Sequence, residues 1–134
     1  MRKIDNVELV ENMIEGWTPS DLVLINNFEM VSEECTTNSS LIITALFQKR
    51  AGTWPNFSEN MFKVAIEYSN VVGLSLKGFG GGVTQIMGFD ILSISDRGLE
   101  GMNYEIIDYE DNRISFNCES IKVISVSLIA PLEP

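Results

Sequence analysis

Histidine is absent from this sequence. Its absence removes the usual general base, the commonest metal ligand and any serine-histidine or cysteine-histidine pair. Most hydrolase mechanisms go with it. Basic residues are also scarce, nine Lys and Arg against nineteen Asp and Glu, for a net charge of −10 at pH 7. Phosphate contacts need cations that displace counterions, so this balance argues against direct binding of nucleic acid or of an anionic membrane. A cationic partner, by contrast, would be steered in at a rate that falls with salt. Cysteine occurs only at Cys35 and Cys118, which form no CxxC arrangement, so reduced thiols are expected. Cys35 follows Glu33 and Glu34, whose charge raises a thiol pKa, which makes it a poor nucleophile.

Long apolar runs are missing as well. No stretch approaches the ~20 residues of a membrane span. The nearest, "IKVISVSLIAPL", is short, contains Lys122 and alternates like a strand. The opening "MRKIDNVELVENMIEG" has charges scattered through its would-be apolar region and does not read as a signal peptide. These features together predict a cytoplasmic protein. With 45% hydrophobic and 21% charged residues in 134, the composition is that of a folding chain, expected to form a single domain over residues 1–134.

One segment invites a chemical reading. "LKGFGGGVTQIMGF" carries glycines at Gly78, Gly80, Gly81 and Gly82. A dinucleotide loop requires GxGxxG, but the sixth position is Val83 counted from Gly78 and Gln85 counted from Gly80. A P-loop requires Gly-Lys-Ser or Gly-Lys-Thr, yet Lys77 precedes the glycines. Both motifs also aim a helix N-terminus at phosphate, whereas "VTQIMGFDI" is strand-like. The glycines are read as a connection between strands. In "DYEDN", Asp108, Glu110 and Asp111 lie close together without the glycine and distal glutamate of a calcium loop, so a solvated hairpin tip is expected. No cofactor or metal is expected.

The periodicity of the chain changes once. In "DNVELVENMIEGW", Val7, Val10, Met13, Ile14 and Trp17 recur at helical spacing, with Asp5 as a candidate N-cap and Gly16 as a stop. This predicts a helix from about Asn6 to Glu15. After Pro19 the period becomes two. "LVLINNFEM" reads as a strand, and "LIITALFQKR" is apolar on both faces, as in a central strand. "MFKVAIEY" sets Phe62, Val64, Ile66 and Tyr68 against Lys63 and Glu67, giving one solvated face. "SNVVGLSLKGF" continues extended after a bulge or turn at Ser69 and Asn70. "VTQIMGFDILSIS", "YEIIDY", "RISFNC" and "IKVISVSLI" follow as further strands. No helix separates them, so the predicted fold class is α+β, an N-terminal helix packed on a mostly antiparallel, twisted sheet of about six to eight strands. The long loops around Cys35 and Trp54 are natural places for a binding surface.

Four segments carry a family resemblance: "GWTPSDLVLINNF", "FKVAIEYSNVVGLSLKGFG", "QIMGFDILSISDRG" and "YEIIDYEDNRISFNCESIKVIS". Across most of its length the chain resembles the immunity protein 50 type of bacterial polymorphic toxin systems. The resemblance carries over no catalytic residue. It implies a non-enzymatic protein that binds and neutralises a cognate toxin, here a basic toxin domain, inside the producing cell. On that reading Glu100, Glu105, Asp108, Glu110 and Asp111 form an acidic patch that speeds encounter, and Tyr109 and Trp54 are aromatic anchors. Phe57 and Tyr104 are further loop aromatics, and core packing is the alternative for all four, Phe57 above all. Two other classes remain open at this point. One is a β-rich structural or regulatory domain that binds another protein or a second copy of itself; the other is an enzyme using only carboxylates, which needs two of them facing across a cleft.

Overall fold

The structure is a computed structural model that describes residues 4–14, 16–17, 21–32, 39–49, 58–76, 89–94, 103–108 and 114–129. Two-residue alternation becomes strand nearly everywhere it occurs. Among the described residues eight strands form: β1 (Leu22–Ser32), β2 (Ser39–Phe47), β3 (Met61–Ser69), β4 (Val72–Leu76), β5 (Phe89–Ser93), β6 (Tyr104–Asp108), β7 (Ile114–Cys118) and β8 (Ser120–Ile129). They make two four-stranded sheets, one in the order β1-β2-β3-β8 and the other β4-β7-β6-β5. Every neighbouring pair of strands is antiparallel.

The α+β expectation is therefore corrected. The protein is mostly β with one short helix, and two sheets replace the single helix-covered sheet. The helix α1 runs only from Glu8 to Glu11 rather than from Asn6 to Glu15. Asp5 is not its N-cap. Val7 holds that position with no side-chain cap, while the Asp5 backbone bridges β8 in parallel. Its amide donates to the Ile121 carbonyl at 2.8 Å, and the Val123 amide donates to its carbonyl at 2.9 Å. Asn6, at φ 61, then turns the chain off the sheet edge. A helix this short has little stability of its own and forms where packing asks for it. Packing asks for Val10, Ile14 and Trp17, which are buried, and for Val7, half-buried against the core, whereas Met13 from the expected apolar face is exposed.

The sheets are joined by a corner in a bent hairpin. On one side β3 passes into β4 through Ser69, Asn70 and Val71; on the other β7 passes into β8 at Glu119. The Ser69–Ser120 pair ends the first sheet, and Val72–Asn117 is the outermost pair of β4 and β7 in the second. The Glu119 amide donates to the Ser69 carbonyl at 2.9 Å, the Val71 amide donates to the Ser39 carbonyl at 2.9 Å, and the Ser69 and Ser120 hydroxyls bond to each other. Asn103 braces the turn: its amide donates to the Cys118 carbonyl at 3.0 Å and its Nδ2 to the Glu119 carbonyl at 2.9 Å. The corner requires left-handed backbone at Asn70 (φ 52) and Gly73 (φ 70). Strands that change sheets do so at bends of this kind.

The inward faces of both sheets share one core. Leu41, Ile43, Ala45 and Phe47 of β2 meet Val64, Ile66 and Tyr68 of β3, Ile121 and Val123 of β8, and Ile91, Ile106, Ile114, Phe116 and Cys118 of the second sheet. Two edge-to-face aromatic pairs lie within it, Tyr68 on Phe116 at 5.0 Å and Trp17 on Phe47 at 5.5 Å between ring centroids. As expected, β2 is interior to its sheet and β3 has a solvated side at Lys63. On the opposite face of the first sheet, Val23, Leu46 and Met61 make a small second cluster against Ile129.

Candidate functional site

Of the residues expected to bind a partner, the structure describes Glu105 and the backbone of Asp108. Trp54, Glu100, Tyr109, Glu110 and Asp111 lie outside the described residues, as do Phe57, Cys35 and the glycines from Gly78 to Gly82. Glu105 is half-buried on β6, directly opposite Leu92 of β5 and Asn117 of β7. Ile106 beside it points into the core, so alternation sends the Glu105 carboxylate to the outer face. Asp108 ends the same strand, opposite Phe89. For Tyr104 the core-packing alternative holds: it is a half-buried strand residue that packs on the core, not a loop anchor.

Among the described residues the core offers no reactive nucleophile. Cys118 is a buried free thiol that burial pushes up to about 12, out of the range where a thiolate nucleophile forms. Burial, and secondarily the neighbouring Cys118, hold the Tyr68 phenol well above its ordinary range. Two polar side chains, Asp21 and Gln48, are buried at the end of the first sheet. The Gln48 amide donates to the Asp21 carbonyl at 3.1 Å and its Nε2 to the Asn60 carbonyl at 3.2 Å, which is a structural tie. Among the described residues no group of three or more His, Cys, Asp or Glu could hold a metal ion. No helix among them is long and apolar enough to cross a membrane.

What the sequence reading missed is the free edge of β8. Among the described residues this edge is covered only from Ile121 to Val123, by the Asp5 backbone and by Asn6, whose Nδ2 donates to the Val123 carbonyl at 3.4 Å. From Ile124 to Ile129 the strand carries no charge and no proline, and Ile124 and Leu128 are 43% and 53% exposed. Helix α1 packs against β8, and on it Glu8, Leu9 and Glu11 are exposed, as is Met13 just past its end. Apolar side chains therefore stand beside carboxylates along one strand edge. The sequence carried little signal for it, since "ISVSLI" is one of several uncharged runs and "CTTNSSLIITALFQ" is longer.

Comparison with protein-family models, with curated proteins and with solved structures finds no match for this chain.

Proposed function

We propose that this chain is a non-enzymatic binding protein that neutralises a cognate bacterial toxin domain of basic character in the cytoplasm of the producing cell. The observation that carries the reading is the exposed apolar set Leu9, Met13, Ile124 and Leu128 in a chain of net charge −10. Exposed apolar groups amid like charge are what an interface with an oppositely charged protein requires. Desolvating the apolar groups supplies affinity, and the charge supplies encounter rate and selectivity. The lack of histidine and the inert buried thiol support binding over catalysis, and the resemblance to the immunity protein 50 type supplies the toxin as partner. Within this reading, Glu100, Glu105, Asp108, Glu110 and Asp111 steer the partner, and Tyr109 and Trp54 anchor it.

The test is association kinetics with the product of a neighbouring toxin gene at two salt concentrations. Glu110→Lys combined with Asp111→Lys is expected to slow association and flatten its salt dependence, with little change in dissociation. Tyr109→Ala is expected to do the reverse. Association indifferent to both salt and the charge reversal moves the interface away from the acidic hairpin. Absence of any complex overturns the immunity reading.

A further inference from the structure

The geometry points to strand addition at β8: the edge from Ile124 to Ile129 receives an extended segment of the partner, one that alternates apolar and basic residues. The inference rests on the binding-protein reading above and names where and how the partner is held.

The four sheet edges differ. The long edge strand β1 has two register shifts, at Leu22/Leu24 and Ile25/Asn27, and carries exposed Glu29. Strands β4 and β5 are only five residues each, and β4 is interrupted between Val72 and Ser75. Shortness, bulges and charge are the ordinary ways an edge is protected from unwanted pairing. Past a single bulge at Ile124, β8 runs regular and uncharged from Ser125 to Ile129, and among the described residues none pairs with its outward side there.

The outward backbone groups follow from the hydrogen bonds already placed. Val123 turns its amide outward to Asp5. The register shift between Ala65 and Ile66 makes Ile124 the extra residue, with Ser125 opposite Ala65 and Ser127 opposite Lys63. Alternation then turns Ser125 and Ser127 toward β3 and leaves the amides and carbonyls of Val126 and Leu128 facing out. These groups are the template for an added strand, since main-chain bonds supply affinity and alternate side chains supply selectivity.

Charge decides the occupant. Asp5, Glu8 and Glu11 are exposed on the segment that runs from the β8 edge into α1. The nearby cations are Lys63 and Lys122, which alternate to the outer face of the sheet, with Lys122 directly opposite Glu67. A second copy of this chain would bring another ten negative charges and meet repulsion. A segment with apolar residues toward Ile124 and Leu128 and basic residues toward the carboxylates of Asp5, Glu8 and Glu11 fits both properties of the edge.

The test uses the full chain and a synthetic ten-residue peptide of alternating lysine and valine. Its glutamate-valine counterpart and a proline-interrupted lysine-valine peptide serve as controls. The lysine-valine peptide is expected to slow hydrogen exchange at the Val126 and Leu128 amides, leaving Ser125 and Ser127, already bonded to β3, unaffected; both control peptides are expected to leave all four unchanged. Leu128→Pro removes one outward amide without touching the bonds to β3, a substitution an edge strand tolerates. It is expected to weaken peptide binding about tenfold, the upper end of one hydrogen bond's contribution, and Leu128→Ala to weaken it less. If Leu128→Pro fails to fold, the exchange pattern of the natural chain decides alone. Equal binding by a folded Leu128→Pro, no protection at Val126 and Leu128, or the same protection produced by concentrating the protein alone would each overturn the proposal. A toxin complex that leaves these amides exchanging freely overturns strand addition while the immunity reading stands. Peptide protection without any toxin complex does the opposite.

Discussion

The corner between the two sheets predicts an order of substitution effects at Gly73. This residue sits at φ 70, and a Cβ placed on it meets nothing within 4 Å. Replacement therefore creates no clash, and the cost is confined to backbone conformation. Left-handed backbone costs an L-residue roughly 1–2 kcal/mol. Against this, removing glycine restricts the unfolded chain and returns about 0.4–1 kcal/mol. The net for Gly73→Ala is thus a loss of about 1 kcal/mol, and for a domain of this size a fall in Tm of about 4 °C. Gly73→Asn should cost less, because asparagine tolerates this region, and Gly73→Val more, because a β-branched side chain does not. Urea denaturation of the three variants beside the natural chain measures the series, with midpoints shifting and the slope unchanged. A Gly73→Val variant as stable as Gly73→Asn, or a Gly73→Ala variant that gains stability, would refute a purely conformational cost at this position. A loss well above 3 kcal/mol would instead reveal a contact where the structure has open space.

Two further outcomes are expected. Phe47→Ala, which empties a fully buried position beside Trp17, should cost about 3–5 kcal/mol in urea denaturation, as large-to-small changes in a packed core do; a loss below about 1 kcal/mol would mean the two sheets do not close on this ring. Cys118 should stay unreactive toward alkylating reagents at pH 8 until the protein unfolds. Its folded pKa, at about 12, lies above its ordinary 9.0, so stability is full below pH 9 and falls as pH rises from 9 toward 12, with Tyr68 adding to the loss in the same direction. Stability flat across that window, measured by urea midpoints at stepped pH, would contradict the burial of the pair.

Strands were legible because alternation is local. The in-phase residues Val64, Ile66 and Tyr68 of β3 needed no partner to be recognised, and neither did Ile121 and Val123 of β8. The pairing of β3 with β8 is a different matter, since it joins segments far apart in the chain through a ladder that local pattern does not encode. Hence one sheet was expected where two exist. Ser69 and Asn70 did mark the break, but a bulge within a sheet and a corner between sheets share the same local chemistry. The helix was overextended for a related reason. Val10, Ile14 and Trp17 reach the core equally well from a long helix or from one short helix followed by turns. Of the acidic hairpin, only Glu105 and the Asp108 backbone fall among the described residues.

The shortness of α1 links the fold to the proposed edge. A helix over the expected ten residues would span about 15 Å and present one continuous apolar face. Instead the last helical residue is Glu11. The Met13 and Ile14 amides both turn back to the Val10 carbonyl, at 2.9 and 2.7 Å, and Gly16 at φ 71 redirects the chain. This tight turn delivers Ile14 and Trp17 inward while Glu8, Leu9, Glu11 and Met13 stay exposed. The Asp5 bridge fixes the position of the whole segment, because its two backbone bonds hold the chain to β8 immediately before it turns away. One segment therefore closes the core, occupies the first part of an exposed edge and stations carboxylates beside the rest. Losing the bridge should then loosen both. Asp5→Pro removes the amide that donates to Ile121, and it should lower stability and, by displacing α1, reduce the preference of the β8 edge for a basic strand over an acidic one.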